Sequence, residues 1–590
     1  MSVIQRIKTY FKTLAKFIGP GFMIAVGYLD PGNWATDMEG GSSFGYRLLF
    51  IILLSNLIAV FLQNLTIRLG TISGLDLASA SKRYFPRWLN LFLYVLAEIA
   101  IIATDIAEVI GSAIALNLLF PSLPLPAGVA ITAVDVFIIL LFYTEEADDP
   151  DSPDSGSASL KMVRFFEMFV MMLVAAVGIC FIIELAYSDI VAVDVFKGFL
   201  PTKEIFTQPE ILYVAIGIIG ATVMPHNLYL HSFIVQARCR EWRHKRPRVV
   251  QVDDTWLIKS NPLEDQLISS SSANMLEKSH TSVIVDQDST TTRTGGINFE
   301  KLKEYLDTSL HKNLHYGFID LIVALTFAFF VNCAILIVAS ANFYYGPDSQ
   351  QQQVQDLFSA HALLMQYLGP PAAVVFALAL LCAGQSSTLT ATLAGQVIMS
   401  GFLGMTTKPW IRRVITRSIA IIPAMVAAIV AGREGLSSML VGSQVALSIQ
   451  LPFAVVPLIY FTATKSTMKL ELVVQAKSLH DDPTHGTTEQ NKMTFIDRTL
   501  ARFQFAKTSS DWFKFPQFSK MIKTKNDTKV ELNEEKAASI SSPKVYKEMD
   551  SWPMPLTYAN NLFSNILAIA IASLLIGLNG YLVVSLFLQI

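Results

Sequence analysis

Long apolar runs alternate with short polar connections along most of the chain. Runs near the ~20 residues that a bilayer requires fall at 17–38, 45–69, 91–119, 126–143, 162–187, 210–236, 313–340, 371–403, 409–431, 437–462 and 558–589, which predicts about eleven membrane-crossing helices. A mixed polar and apolar stretch at 351–369, closed by Gly369-Pro370-Pro371, predicts a short amphipathic helix before the eighth crossing. Two long stretches interrupt the pattern. Residues 237–312 are rich in Ser, Thr, Asp and Gln, and residues 463–557 are of mixed charge, so both are expected to be largely disordered loops. The expected organisation is an N-terminal segment 1–16, helices one to six over 17–236, a loop over 237–312, helices seven to ten over 313–462, a loop over 463–557 and a last helix over 558–590.

Two of the runs are broken at mid-depth. The first contains Gly27-Tyr28-Leu29-Asp30-Pro31-Gly32-Asn33 and the sixth contains Ala221-Thr222-Val223-Met224-Pro225-His226-Asn227. A proline inside a helix removes a donor and frees carbonyls of the preceding turn. Hydrocarbon tolerates such groups only in the protein interior or beside a water-filled cavity. Two consecutive five-helix units, one to five and six to ten, would put the breaks in equivalent places with opposite orientation, leaving one extra helix at the end. Paired interruptions of this kind are the best sequence pointer to a binding site between the halves.

Composition agrees with the pattern. The 590 residues are 52% hydrophobic and 16% charged, and mean hydropathy is +0.46, which excludes an ordinary soluble domain. A net charge of −2 gives no basic surface for nucleic acid. The four cysteines are scattered, without a CxxC or a disulfide pattern. Arg6, Lys8, Lys12 and Lys16 precede the first run without a cleavage site after it, so that run is read as an uncleaved span. Basic residues at the N-terminus, Lys82/Arg83/Arg87, Lys161/Arg164, Arg238–Arg246 and Lys408/Arg412/Arg413 share one side, so the N-terminus and both long loops are expected in the cytoplasm. The acidic loop Glu145–Asp154 dissents, but acids weigh little in that rule. No phosphate-binding glycine loop is present and the spans hold no HxxxH or HxxH pair, which argues against a pump and against a histidine-cluster oxidase. The expectation is a protein that is not an enzyme and holds no tightly bound cofactor.

The breaks bring a carboxylate (Asp30), an amide oxygen (Asn33) and a thioether (Met224) to one depth, and free a carbonyl one turn before, at Ala221. Oxygen ligands alone suit hard ions; a sulfur favours later first-row metals and disfavours calcium. The bland alternatives are helix caps for Asp30 and Asn33 and core packing for Met224. His226 and His231 are five residues apart, about 140° around a helix, and cannot chelate one ion together. Either they move protons or they are neutral core histidines. Glu98, Asp105 and Glu108 share one face of the third helix, as a proton relay or a fixed ion-pair network with Arg413 or Arg417. Gln444, in the tenth helix, is either interhelical glue or a further amide ligand.

The motifs Asp30-Pro31-Gly32-Asn33, Met224-Pro225-His226-Asn227, Ala103-Thr104-Asp105-Ile106-Ala107-Glu108, Gly384-Gln385-Ser386-Ser387-Thr388 and Ser443-Gln444 through Leu451-Pro452-Phe453-Ala454 run in order through 17–462. In these the chain resembles the NRAMP family of divalent-metal/proton symporters, and the long loops suggest a fungal-type member. The resemblance implies an all-α LeuT-like fold, a 5+5 inverted repeat with helices 1 and 6 broken. It implies a metal site of Asp30, Asn33, Met224 and the Ala221 carbonyl, joined by Gln444 in some conformations. It also implies a proton route through Asp30, His226, His231, Asp105 and Glu108, with Glu98 on the same stripe, toward Arg417. The expected function is proton-coupled import of Mn²⁺ or Fe²⁺, with Co²⁺, Cd²⁺ and Zn²⁺ as further substrates, by alternating access toward the cytosol. The plasma membrane or an endosomal or vacuolar membrane is the expected location. The partners are the metal ion, protons and the lipid bilayer, with the loops open to regulatory proteins. The rivals are a sodium-coupled amino-acid or organic-solute transporter on the same scaffold and a non-transporting metal sensor.

Overall fold

The apolar runs fold as helices, which satisfy their backbone groups within each segment as a bilayer demands. The computed structural model describes residues 3–132, 190–238, 248–252, 299–345, 357–367, 369–404, 409–470, 472–476, 545–547 and 557–588, with scattered positions between 172 and 188. An amphipathic helix α1 (Val3–Phe17) leads into a first crossing in two pieces, α2 (Pro20–Ala25) and α3 (Pro31–Phe44), joined by a 3₁₀ turn at Val26–Tyr28. Then come α4 (Leu49–Arg68), a short α5 (Leu77–Tyr84) and the long α6 (Arg87–Leu119). The sixth crossing is also split, into α7 (Pro209–Thr222) and α8 (Pro225–Ile234). The second half holds α9 (Phe299–Ala339), α10 (Leu357–Tyr367), α11 (Pro370–Leu403), α12 (Pro409–Val430), α13 (Gly432–Ala463) and α14 (Leu562–Leu588). Among the described residues, seven helical stretches are long and apolar enough to cross a membrane.

Several boundaries differ from expectation for identifiable reasons. The first crossing runs on to Phe44, because a left-handed residue, Gly45 at φ 64°, is what ends it. Helix α9 begins at Phe299, fourteen residues before the expected 313. Its extension is polar in composition but buries Leu302, Leu306 and Leu310, one stripe at helical spacing. The expected crossings at 126–143 and 162–187 lie largely outside the described residues; residues 125–132 are helical.

Most of the expected loops 237–312 and 463–557 also lies outside the described residues. What is described there includes strands β1 (Arg248–Val252), β2 (Leu472–Ala476) and β3 (Val545–Lys547). Each holds β-branched or aromatic residues that favour a pleated strand. The helical unit comprises 1–250, 298–473 and 548–590, and a second unit comprises 251–297 and 474–547. Within the second unit Val474 stands opposite Lys547 in an antiparallel pair.

In the helical unit α6 packs against α11 and α13, α9 runs along α2, α3 and α4, and α7 lies against α3 and α13. Close approach depends on small residues, as membrane helix packing does generally. A Cβ at Gly111 of α6 would overlap the Pro31 ring, and one at Gly384 of α11 would overlap Ser112 Oγ. At Gly220 of α7 a Cβ would overlap the Gln444 carbonyl oxygen and fall 2.7 Å from Ser448 N, both on the α13 backbone. Gly220→Ala must therefore push α7 from α13. The expected cost is about 1–3 kcal/mol, read as a lower melting temperature of the purified protein in detergent. An unchanged melting curve would show that these helices separate freely.

Candidate functional site

Pro31 and Pro225 each open a half-helix, where the missing N–H has no partner to lose. The residue before each is extended, Asp30 at φ −71°, ψ 163° and Met224 at φ −66°, ψ 126°. Asp30 caps α3. Its Oδ1 accepts from Asn33 N at 3.0 Å and its Oδ2 from Gly32 N at 3.3 Å. The capping role leaves room for a ligand role, because a carboxylate has lone pairs beyond these two bonds.

The breaks strand carbonyls, and side chains answer them. Trp34 Nε1 donates to Leu29 O at 3.1 Å, and Asn332 Nδ2, from α9, donates to Tyr28 O at 3.0 Å. Asn33 Nδ2 meets Ala221 O at 2.9 Å, Gly27 O at 3.4 Å and Asp30 Oδ1 at 2.6 Å. An amide nitrogen has two hydrogens, and here three oxygens from both breaks converge on it. Turning the amide over would present Asn33 Oδ1 to the same point. The place is a polar pocket built from one carboxylate, one amide and backbone carbonyls, a donor set that a small cation could use.

Met224 sits at the second break, wholly buried, three residues after Ala221. Gln444 reaches the site from α13. Its amide lies on Gly32, where a Cβ would overlap Nε2, and its Oε1 has no partner among the described residues. Asp30, Asn33, Ala221, Met224 and Gln444 are all sealed from solvent. Among the described residues no three of His, Cys, Asp or Glu gather as in a tight structural metal site.

A second polar line adjoins the first. Thr104 Oγ1 lies 3.3 Å from His226 Nδ1, and the Asp105 carboxylate is close enough to act on that ring electrostatically. His231 Nδ1 lies 2.9 Å from Gln63 Oε1 and 3.2 Å from Thr66 Oγ1. Gln63 Nε2 in turn donates to the Tyr28 hydroxyl at 3.2 Å, beside the first break. Glu108 Oε1 accepts from Ser387 Oγ of α11 at 2.8 Å. Asp105 and Glu108 are buried, whereas Glu98 is only half-buried. Arg417 falls within α12, but its side chain lies outside the described residues.

Sequence reasoning passed over three polar residues here. Asn227 lies on Gly27 with neither amide atom partnered among the described residues. Asn332 keeps an unpartnered Oδ1, and both oxygens of buried Asp37 are unpartnered among the described residues. Asp37 follows Asp30 by seven residues, two turns along α3. The spacing test applied to the acids of α6 would have found it; only the position of α9 in space could have found Asn332.

Two proline breaks meeting at one sealed polar centre, within a bundle of long apolar helices, define a multi-pass membrane protein. The family profile described as natural resistance-associated macrophage protein-like (Nramp) matches residues 21–149 and 155–475. The chain is 44% identical over 475 residues to the manganese transporter SMF1 of Saccharomyces cerevisiae, covering 80% of this chain and 75% of that one. It is 44% identical over 466 residues to the divalent metal cation transporter MntH of a Nostoc species, covering 79% of this chain and 87% of that one. A crystal structure of the Eremococcus coleocola manganese transporter, in complex with an aromatic bis-isothiourea compound, is similar at a TM-score of 0.58 and 27% identity, covering 98% of this chain and 95% of that one. This chain belongs to the Nramp family, and its fold is the LeuT-like one.

Gly32→Ala offers a test of Gln444 that removes no ligand. The methyl would displace the Gln444 amide and also fall 2.9 Å from Asp30 Oδ2, so a loss larger than that of Gln444→Ala would report crowding of the carboxylate. Mn²⁺ affinity is expected to fall ~10-fold, as when a supporting contact of a metal site is lost, and to match that of Gln444→Ala by isothermal titration. An isotherm like the parent's would take Gln444 out of the site.

Proposed function

We propose that this protein carries divalent transition-metal ions, Mn²⁺ and Fe²⁺ foremost and Co²⁺, Cd²⁺ and Zn²⁺ as further substrates, into the cytosol together with protons. The observation that carries the reading is the convergence of Asp30 Oδ1, Ala221 O and Gly27 O on the Asn33 amide, across both helix breaks. The names of the relatives, manganese and divalent-cation transporters, support the same substrate class, and a family of transporters supports the reading that this is not an enzyme.

Selectivity follows from the donors. Asp30, Asn33 and the Ala221 carbonyl offer oxygen to any divalent cation. Met224 adds a sulfur that manganese and iron accept and calcium, which seeks six to eight oxygens, does not. A single carboxylate among neutral ligands keeps the ion loosely held, and a carrier must release its cargo. Alternating access needs the half-helices to tilt about the breaks, where no continuous backbone ladder resists.

Protons are assigned to the second line. Asp105 and Glu108 lie on α6, which passes beside both breaks, and His226 and His231 lie on α8, His226 toward Thr104 of α6 and His231 toward the Tyr28–Gln63 pair. Each is a group that can take up or lose a proton as its burial and neighbours change. Glu98, the half-buried member of the stripe, and Arg417 of α12 are the acid and the counter-charge assigned to the end of that route.

Uptake by proteoliposomes, with metals offered singly and a pH dye inside, tests both halves. The parent protein is expected to import Mn²⁺ and acidify the lumen, while Asp30→Ala neither binds nor imports it. Binding that survives in Asp30→Ala would move the metal elsewhere. Asp105→Asn keeps the side chain's shape and removes its titratable group. It is expected to bind Mn²⁺ normally, to acidify the lumen less for each ion imported, and to show a flatter pH profile of uptake. Undiminished proton entry in that variant would make the stripe structural.

A further inference from the structure

Helix α1 is amphipathic, and only part of its apolar side is used. Tyr10 and Phe17 pack on α9. The Phe17 and Tyr316 rings stack at 5.1 Å, the Tyr10 and Tyr316 centroids are 5.3 Å apart, and Tyr10 Oη lies 3.1 Å from His315 Nε2. Next around the helix come Ile7 and Phe11, one turn apart, which are 51% and 62% exposed. Beyond them come Lys8 and Lys12, both exposed, and on the far side exposed Thr9. The α1 sequence VIQRIKTYFKTLAKF contains four cationic residues and no acid.

The surroundings bear on what covers the bare ridge. Two residues after α1 the chain enters α2, the inner half of the broken first crossing. That junction is fixed. Ile18 N donates to Leu14 O at 3.0 Å, while Gly19 N and Gly21 N donate to the Asp320 carboxylate of α9 at 3.3 and 2.7 Å. Helix α1 thus ends where a crossing begins, beside the membrane surface, with an apolar ridge bordered by lysines. That order of apolar ridge, flexible cations and polar back is the form of a helix lying in the headgroup layer. Lysine stems extend along apolar surface while their ammonium groups reach phosphate.

We propose that α1 is an in-plane arm that binds the anionic phospholipid surface of the leaflet at the N-terminal end, with Ile7 and Phe11 inserted among the acyl chains and Lys8 and Lys12 on the headgroups. The arm is clamped to α9 on one edge and to the leaflet on the other. Through the short junction it sets the resting position of α2, so lipid charge acts on the inner half-helix without any contact to the metal site.

The full-length protein is reconstituted into phosphatidylcholine vesicles with and without phosphatidylserine, with bromine placed near the top of the acyl chains. Phe11→Trp and Thr9→Trp each add one tryptophan, read as the difference from the parent chain. The Phe11→Trp emission is expected to fall severalfold in the anionic brominated bilayer and less in the neutral one, whereas Thr9→Trp stays bright in both. Adding Lys8→Glu and Lys12→Glu to Phe11→Trp is expected to weaken the inserted state by about fivefold for each lysine lost, the magnitude of one cation at such a surface. Equal quenching at positions 9 and 11 overturns the proposal, as does a bright Phe11→Trp in the anionic bilayer. Quenching that ignores both the anionic lipid and the lysine reversals overturns it too.

Discussion

The structure depends on one constraint: a polar backbone group inside a bilayer must find a partner within the protein. Pro31 and Pro225 violate the usual solution twice, at one depth, and the remaining architecture supplies the remedy. Trp34 answers Leu29 O, Asn332 answers Tyr28 O, and Asn33 answers both Gly27 O and Ala221 O. Those bonds tie the 3₁₀ turn of the first break, α3, α7 and α9 into one knot. The glycines of α6, α7 and α11 let neighbouring helices close around it. A break without these partners would leave several unsatisfied carbonyls, each at about 1–3 kcal/mol. The partners it has leave one point, at Asn33 Nδ2, crowded with oxygens.

That crowding links stability to chemistry. A nitrogen with two hydrogens cannot serve three acceptors equally, so the centre is held by compromise. A divalent cation in its place would meet oxygens that already point inward, with little rearrangement needed. The neighbouring unpartnered amides carry the same implication. The amides of Gln444, Asn332 and Asn227 lie at Gly32, Tyr28 and Gly27 of the first break, and Gln444 Oε1, Asn332 Oδ1 and both polar atoms of Asn227 have no partner among the described residues. A buried polar atom without a partner in one conformation is tolerable when another conformation, water or an ion supplies one.

The sequence was legible where chemistry and covalent neighbourhood coincide. Proline beside Asp30 and Met224 marked the breaks, and offsets of three and seven residues gathered the acids of α6. Residues that act across space were not legible: Asn332 is some three hundred positions from the Tyr28 carbonyl that it satisfies. Hydropathy also misjudged helices that are stripes rather than solid apolar rods. The α9 extension hides Leu302, Leu306 and Leu310 among Lys and Glu, and α1 spreads its apolar residues between lysines. Both needed the 3.6-residue period rather than a running average. The strands in the polar stretches are three to five residues long, too short to stand out from composition.

Asp30 shows how this scaffold supports a charge at the proposed site. A buried carboxylate alone in hydrocarbon is costly, yet here the first turn of α3 supplies two N–H groups and the positive end of a helix dipole. The cap therefore supports the carboxylate, while the proline that forces the cap exposes the carbonyls that would complete the proposed ligand set. The second break repeats the geometry with a methionine at the capping position, where an uncharged thioether needs no such support. On the proposed reading one break supplies the negative charge and the other the selectivity, and a second charge at the same centre would hold a divalent ion too firmly to be released.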